Sequence, residues 1–158
     1  MDYLSPESME IMLRLVVATL AGMMIGINRD LKNKPIGMRT LGLVALSAAM
    51  LVLSGSVYKG LIYDQDAVSR VVQGILTGLG FLGAGVILRD RSRMEVKGLT
   101  TAATVWVAAA LGITAGLGAW ILTATGCAIA LVLLVLGKPL ELSANRLFGG
   151  TSEEEPNS

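Results

Sequence analysis

The feature that most constrains this fold is an apolar run over residues 71–88 that carries no charge and only two strongly polar side chains, Gln73 and Thr77. Eighteen residues in a helix rise about 27 Å at ~1.5 Å each, close to the ~30 Å hydrocarbon thickness of a bilayer. Five glycines lie inside the run: Gly74, Gly78, Gly80, Gly83 and Gly85. In water each would weaken a helix by roughly 1 kcal/mol relative to alanine. In lipid the same residues make smooth strips against which a second helix packs closely. The run therefore predicts a glycine-faced transmembrane helix. Residues 89–97 follow as a basic hairpin, and the remaining elements are expected to pack around this helix.

Gly78-x-Gly80-x-x-Gly83 matches a dinucleotide-binding pattern letter for letter. That pattern works only between a strand and a helix, with an acidic residue about 20 positions on. Here the glycines sit within one apolar run, so a nucleotide-binding enzyme is discarded. Composition agrees: hydrophobic residues are 53 % and charged residues 16 %, below the ~25 % usual for soluble domains. The net charge of +1 gives no support to nucleic-acid binding. The chain has no histidine, which removes the commonest general base and a common metal ligand. Its single cysteine, Cys127, lies in an apolar run and reads as a small packing residue rather than a reactive thiol. No catalytic, metal or cofactor-binding residue is expected.

Ser5-Pro6-Glu7 reads as a helix start, with Ser5 as N-cap, Pro6 in the first helical position and an acid in the first turn. The first span is expected over residues 9–27, and the absence of a basic leader predicts that it stays in the membrane. It carries Glu10 and Arg14 at i, i+4, a candidate intramembrane ion pair, and Gly22-x-x-x-Gly26, a close-packing signature. A basic loop over 28–39 leads to a second span over 40–57. A polar loop over 58–67 follows, with Tyr58 and Tyr63 suited to the interfacial belt. After the third span and the basic hairpin, a fourth span runs from about 98 to 113, short enough to be broken or re-entrant. Gly112, Gly116 and Gly118 read as a tight turn, and a fifth span covers 120–136. Lys138-Pro139 is expected to end that helix, leaving 141–158 as a partly disordered tail.

The basic residues Arg29, Lys32, Lys34, Arg39, Arg89, Arg91, Arg93, Lys97, Lys138 and Arg146 all fall on one side of a five-span arrangement. The positive-inside rule then places the C-terminus in the cytoplasm and the N-terminus outside. The fold class is all-α, polytopic, with about five transmembrane helices.

Several segments resemble the MgtC/SapB family of bacterial inner-membrane proteins. They are Gly22-x-x-x-Gly26 with Asn28-Arg29-Asp30, Gly37-Met38-Arg39-Thr40, the block from Gly78 through Gly80 and Gly83 to Gly85, and Gly98-Leu-Thr100-Thr101-Ala-Ala with Trp106. The family pattern usually has glutamate where this chain has Asn28 and histidine where it has Leu41. The resemblance implies an MgtC/SapB-like transmembrane domain over 1–140, in a short form without the soluble C-terminal domain of longer members. It also implies a role in magnesium homeostasis and, for some members, virulence. Direct magnesium transport is doubtful on the same grounds. Action through other inner-membrane proteins is implied instead, the F-type ATP synthase among them.

The residues leave two readings of function. The first is a non-enzymatic regulator that sits in the lipid bilayer, self-associates through small-residue faces and binds other membrane proteins. The second is a transporter or channel for magnesium or another small solute. Magnesium sheds water reluctantly and favours carboxylates, yet the interiors of spans two to five hold no acid. Arg29, Arg39 and Thr40 read as cytoplasmic contacts to a partner, a lipid phosphate or a nucleotide, or simply as topology signals. Thr100 and Thr101 read as capping and packing groups at a helix start, where an anion is also favoured.

Overall fold

The computed structural model describes residues 5–55, 64–90 and 95–148. The described chain is helical apart from one small hairpin. Its elements are α1 (Pro6–Leu31), α2 (Met38–Ser54), α3 (Gln65–Val86), β1 (Leu88–Asp90), β2 (Glu95–Lys97), α4 (Leu99–Gly116) and α5 (Trp120–Phe148). Four of the helices are long and apolar enough to cross a membrane, and α2 is a shorter apolar helix. The protein is all-α and polytopic, as its sequence predicts. The basic hairpin is also present, with β1 and β2 antiparallel and Leu88 opposite Lys97.

The start of α1 follows its sequence. Ser5 is the N-cap and its Oγ accepts from the Ser8 amide at 3.2 Å, with Pro6 behind it. The end does not. Residues 28–31, expected in the basic loop, are helical, and the connection shrinks to residues 32–37. Arg29 is drawn inward, and the Asp30 carboxylate accepts from the Met38 amide at 2.9 Å. Gly37, the N-cap of α2, offers no capping side chain, so Asp30 supplies the cap from the neighbouring helix.

The organising helix is α4, not α3. In α4 56 % of the span is buried, against 11 % of α3. The core lies where α1, α2 and α4 meet, and its large, fully buried side chains are Ile25, Leu41, Val52 and Val105. Around them the interior is built from alanine: Ala18, Ala45, Ala49, Ala108, Ala109 and Ala115 are all fully buried. Lipid gives helices no hydrophobic reason to associate, so close van der Waals contact between such thin faces holds them together.

The glycines of residues 112–118 therefore need a different account from the expected turn. Gly112 and Gly116 are helical, and they form the face of α4 that meets α2. A Cβ on Gly112 would stand 2.2 Å from the Ala45 carbonyl oxygen, and one on Gly116 would stand 3.1 Å from the Ala49 Cα. The turn itself is confined to residues 117–119, where Gly118 has φ +75°. The fourth span is one continuous helix, not a broken one.

The third-span glycines reverse in the opposite sense. A Cβ on Gly74, Gly78, Gly80 or Gly85 would meet nothing within 4 Å, and only Gly83 touches another helix, near Trp106 and Ala102 of α4. Leucine at Gly83 is expected to push α3 off α4 and cost about 1–3 kcal/mol. Leucine at Gly80 should leave the single chain unaltered. Unfolding in detergent distinguishes the two, and equal loss from both would contradict this placement of α3.

Pro139 lies inside α5 rather than ending it, and the helix continues to Phe148, through the first part of the expected tail. Proline lacks an N–H and crowds the carbonyl four residues back, which opens the backbone there. Lys32, the C-cap of α1, donates its Nζ to the Leu134 carbonyl, one residue before the position that Pro139 leaves without a donor. The expected belt residues Tyr58 and Tyr63, the basic residues Arg91 and Arg93, and the tail beyond 148 lie outside the described residues.

Candidate functional site

Helices α1 and α4 run antiparallel, and an arginine of α1 meets each end of α4. Arg14 Nη1 donates to the Gly116 carbonyl at 3.1 Å, and Arg29 Nη2 donates to Thr101 Oγ1. Fifteen residues separate 14 from 29 and 101 from 116, so the two contacts are set by one straight register, about 22 Å apart along the axes.

The Arg14 end is electrostatically complete. Its Nε bonds Glu10 Oε1 at 2.8 Å, so the pair expected from the sequence is formed. Its guanidinium serves a carbonyl in the last turn of α4, where the helix dipole favours a cation. Gly118 sits at φ +75°, which favours glycine, and a Cβ there would stand 2.8 Å from Arg14 Nη2. Arg14→Met is expected to destabilise by about 1–3 kcal/mol through the unsatisfied carbonyl. Glu10→Gln should cost about 0.5 kcal/mol or less, as for a helix surface pair. Thermal unfolding in detergent checks the ratio, and equal costs would contradict the contact to Gly116.

The Arg29 end is not complete. Arg29 is only 5 % exposed, and its Nε is buried with no hydrogen-bond partner. Its guanidinium lies at the first turn of α4, the positive end of that helix. The α4 N-cap, Gly98, has no side chain to satisfy the leading amides. No acid faces Arg29 among the described residues, and the Asp30 carboxylate is committed to Met38. Gly98 sits at φ +98°, and a Cβ there would stand 2.0 Å from the Val86 carbonyl oxygen. Only glycine lets the hairpin turn directly into α4 against the end of α3.

Other residues singled out in the sequence fall around this end. Gly22 packs against Leu41 and Ala45, and Gly26 against Met38, at the α1–α2 seam. Gly37 leaves space for Asp30, whose Oδ1 would stand 1.6 Å from a Cβ at that position. Asn28 is half-buried on α1, and Arg39 and Thr40 are exposed in the first turn of α2. Thr101 is buried as the partner of Arg29, and its carbonyl accepts from Thr104 Oγ1 at 2.7 Å. Trp106 is partly exposed at the α3–α4 seam, beside Gly83.

Thr100 is exposed and opens an apolar groove between α4 and α5. This groove holds about 520 Å³ and is lined by Thr104, Leu111, Gly126, Ile129 and Leu134 among others. A second groove of about 560 Å³ lies between α2 and α3 and takes in Thr40, Gly74 and Gly78. Among the described residues no group of three His, Cys, Asp or Glu side chains comes together to hold a metal. Sequence reasoning placed Lys32 only as a topology signal and Asp30 only as a loop acid. Gly112-x-x-x-Gly116 repeats the spacing of Gly22-x-x-x-Gly26, a signal that could have identified it as a packing face.

Large side chains such as Phe81 and Ile121 stand 83 % and 82 % exposed around an alanine-packed centre, a surface suited to lipid. The fold is thus that of a polytopic α-helical membrane protein, with Glu10 and Arg14 at one end of the antiparallel α1–α4 pair and Arg29 at the other. Residues 15–143 match the model of the MgtC family, and the chain belongs to that family. It is 43 % identical over 132 residues to Protein SrpB of Synechococcus elongatus, covering 77 % of this chain and 71 % of the relative. It is 42 % identical over 120 residues to Protein SapB of Bacillus subtilis, covering 73 % and 50 %. With Protein MgtC of Salmonella typhimurium it shares 42 % identity over 106 residues, covering 67 % and 43 %. The match thus spans half or less of the last two relatives. No solved structure matches the chain.

Proposed function

We propose that this protein is a non-enzymatic regulator of a bacterial inner membrane that supports adaptation to low magnesium by binding other membrane proteins. The F-type ATP synthase is the partner suggested by the family resemblance. In this reading the N-terminus is outside and the C-terminus cytoplasmic, so the Arg29 end faces the cytoplasm, and copies of the chain self-associate. The observation that carries the proposal is the closed centre of the bundle. At the α2–α4 seam Gly112 rests on the backbone of Ala45, and Gly116 on that of Ala49. Ala45 and Ala49 are fully buried there, which leaves no room at this seam for a hydrated divalent cation. Family membership supports the link to magnesium.

The test has two arms. The purified protein in liposomes is expected to pass no saturable magnesium flux, and such a flux would replace this reading with the transporter. Crosslinking in native membranes is expected to recover a second integral membrane protein together with copies of this chain. Recovery of neither would remove the regulator reading.

A further inference from the structure

We infer that the Arg29 end of α4 is a binding site for an anionic glycerophospholipid, with the headgroup phosphate at the α4 N-terminus and an acyl chain in the α4–α5 groove. The first observation is an unbalanced charge. The same helix pair that matches Arg14 with Glu10 and with a helix C-terminus leaves Arg29 against a helix N-terminus, with no ion pair to an acid among the described residues. A buried guanidinium with an unpartnered Nε, beside leading amides that have no side-chain cap, adds two positive features in a low-dielectric setting. The carbonyls of α1 compensate in part, but the Arg29 carbonyl already accepts from the amides of Lys32 and Lys34. An oxyanion supplies what is missing, because it accepts from helix-terminal amides and from cationic donors at once.

The second observation is the shape of what adjoins that charge. The α4–α5 groove starts at Thr100, in the first turn of α4, and continues to Thr114. That length is about 21 Å of helix, more than the ~15 Å depth of one bilayer leaflet. Leu134 lines the groove near this end, and its carbonyl holds Lys32 Nζ, so a second cation stands where the groove opens. Lys32 is exposed and keeps protons for a further acceptor. Two cations beside one end of an apolar groove, Arg29 on Thr101 and Lys32 on the Leu134 carbonyl, match the headgroup and chain of an acyl lipid. A free phosphate would use the cations alone.

The experiment measures lipid retention by the full-length protein in detergent, with native mass spectrometry and thermal unfolding as readouts. Phosphatidylglycerol and phosphatidylcholine of identical chains are compared with inorganic phosphate. Phosphatidylglycerol is expected to bind about tenfold more tightly than phosphatidylcholine, with affinity falling as salt rises. Arg29→Gln and Lys32→Gln should each weaken it about tenfold. Gly126→Leu should weaken both lipids by filling the groove; a Cβ there stands at an ordinary 3.5 Å from Leu111, so the backbone admits it. Should Arg29→Gln fail to fold, Lys32→Gln and Gly126→Leu decide. Equal retention of the two lipids, unaltered by these variants, would overturn the site. Stabilisation by inorganic phosphate that equals and displaces phosphatidylglycerol would overturn the lipid assignment in favour of a free anion. Crosslinks placing a second copy in the groove would overturn it in favour of an oligomer contact.

Discussion

Replacing Gly112 with alanine is expected to force two buried helices apart and to destabilise the protein strongly. The new Cβ would stand 2.2 Å from the Ala45 carbonyl oxygen and 2.8 Å from its Cα. Both atoms are backbone of a buried helix, so no side chain can swing aside, and α2 and α4 must separate. Overpacking of this kind costs about 1–3 kcal/mol and occasionally more, a large share of a stability of about 5–15 kcal/mol. Gly74→Ala is the matched control, since its Cβ would meet nothing within 4 Å. Its effect should stay within about 1 kcal/mol, with any change favouring the helix. Denaturant unfolding in detergent measures both. Equal midpoints for the two variants would mean that the α2–α4 seam is not where the helices meet.

The second large effect concerns Thr101. Valine at this position keeps the shape but removes the hydroxyl that accepts from Arg29 Nη2, while Nε already has no partner. A buried cation stripped of its acceptor is expected to cost about 3 kcal/mol. Replacing both residues, as Arg29→Met with Thr101→Val, removes the need for an acceptor and should recover most of the loss. The double variant is thus expected to be more stable than the single one, and a double-mutant cycle by thermal unfolding reads the coupling directly. Additive losses would show that the two groups do not interact. The recovered double variant should still bind phosphatidylglycerol about tenfold more weakly, which separates stability from ligand binding at this site.

Much of the fold was legible in the chain because the bilayer imposes simple demands. An uncharged run must be long enough to cross, and its backbone must bond within itself, so helices α3 and α5 followed from hydropathy, although α3 starts earlier and ends two residues sooner, at Gln65–Val86, than the run over 71–88. The Glu10–Arg14 pair was legible because i, i+4 spacing brings the two side chains together on any helix. The Arg29–Thr101 contact was not, because it depends on how α1 and α4 are set in register. The termination expected at Pro139 failed because proline removes only one local hydrogen bond, and the helix runs on through it to Phe148.

The sequence by itself determined that this chain is a set of apolar helices joined by basic connections, because crossing length, charge placement and turn residues are local properties. The tertiary structure alone decided which glycines are seams. Those at 74, 78, 80 and 85 face open space, while Gly112 and Gly116 bear on the backbone of α2. Glycine marks where close approach is permitted. Only the packing of all the helices together fixes where that approach occurs, and so which arginine meets a helix C-terminus and which a helix N-terminus.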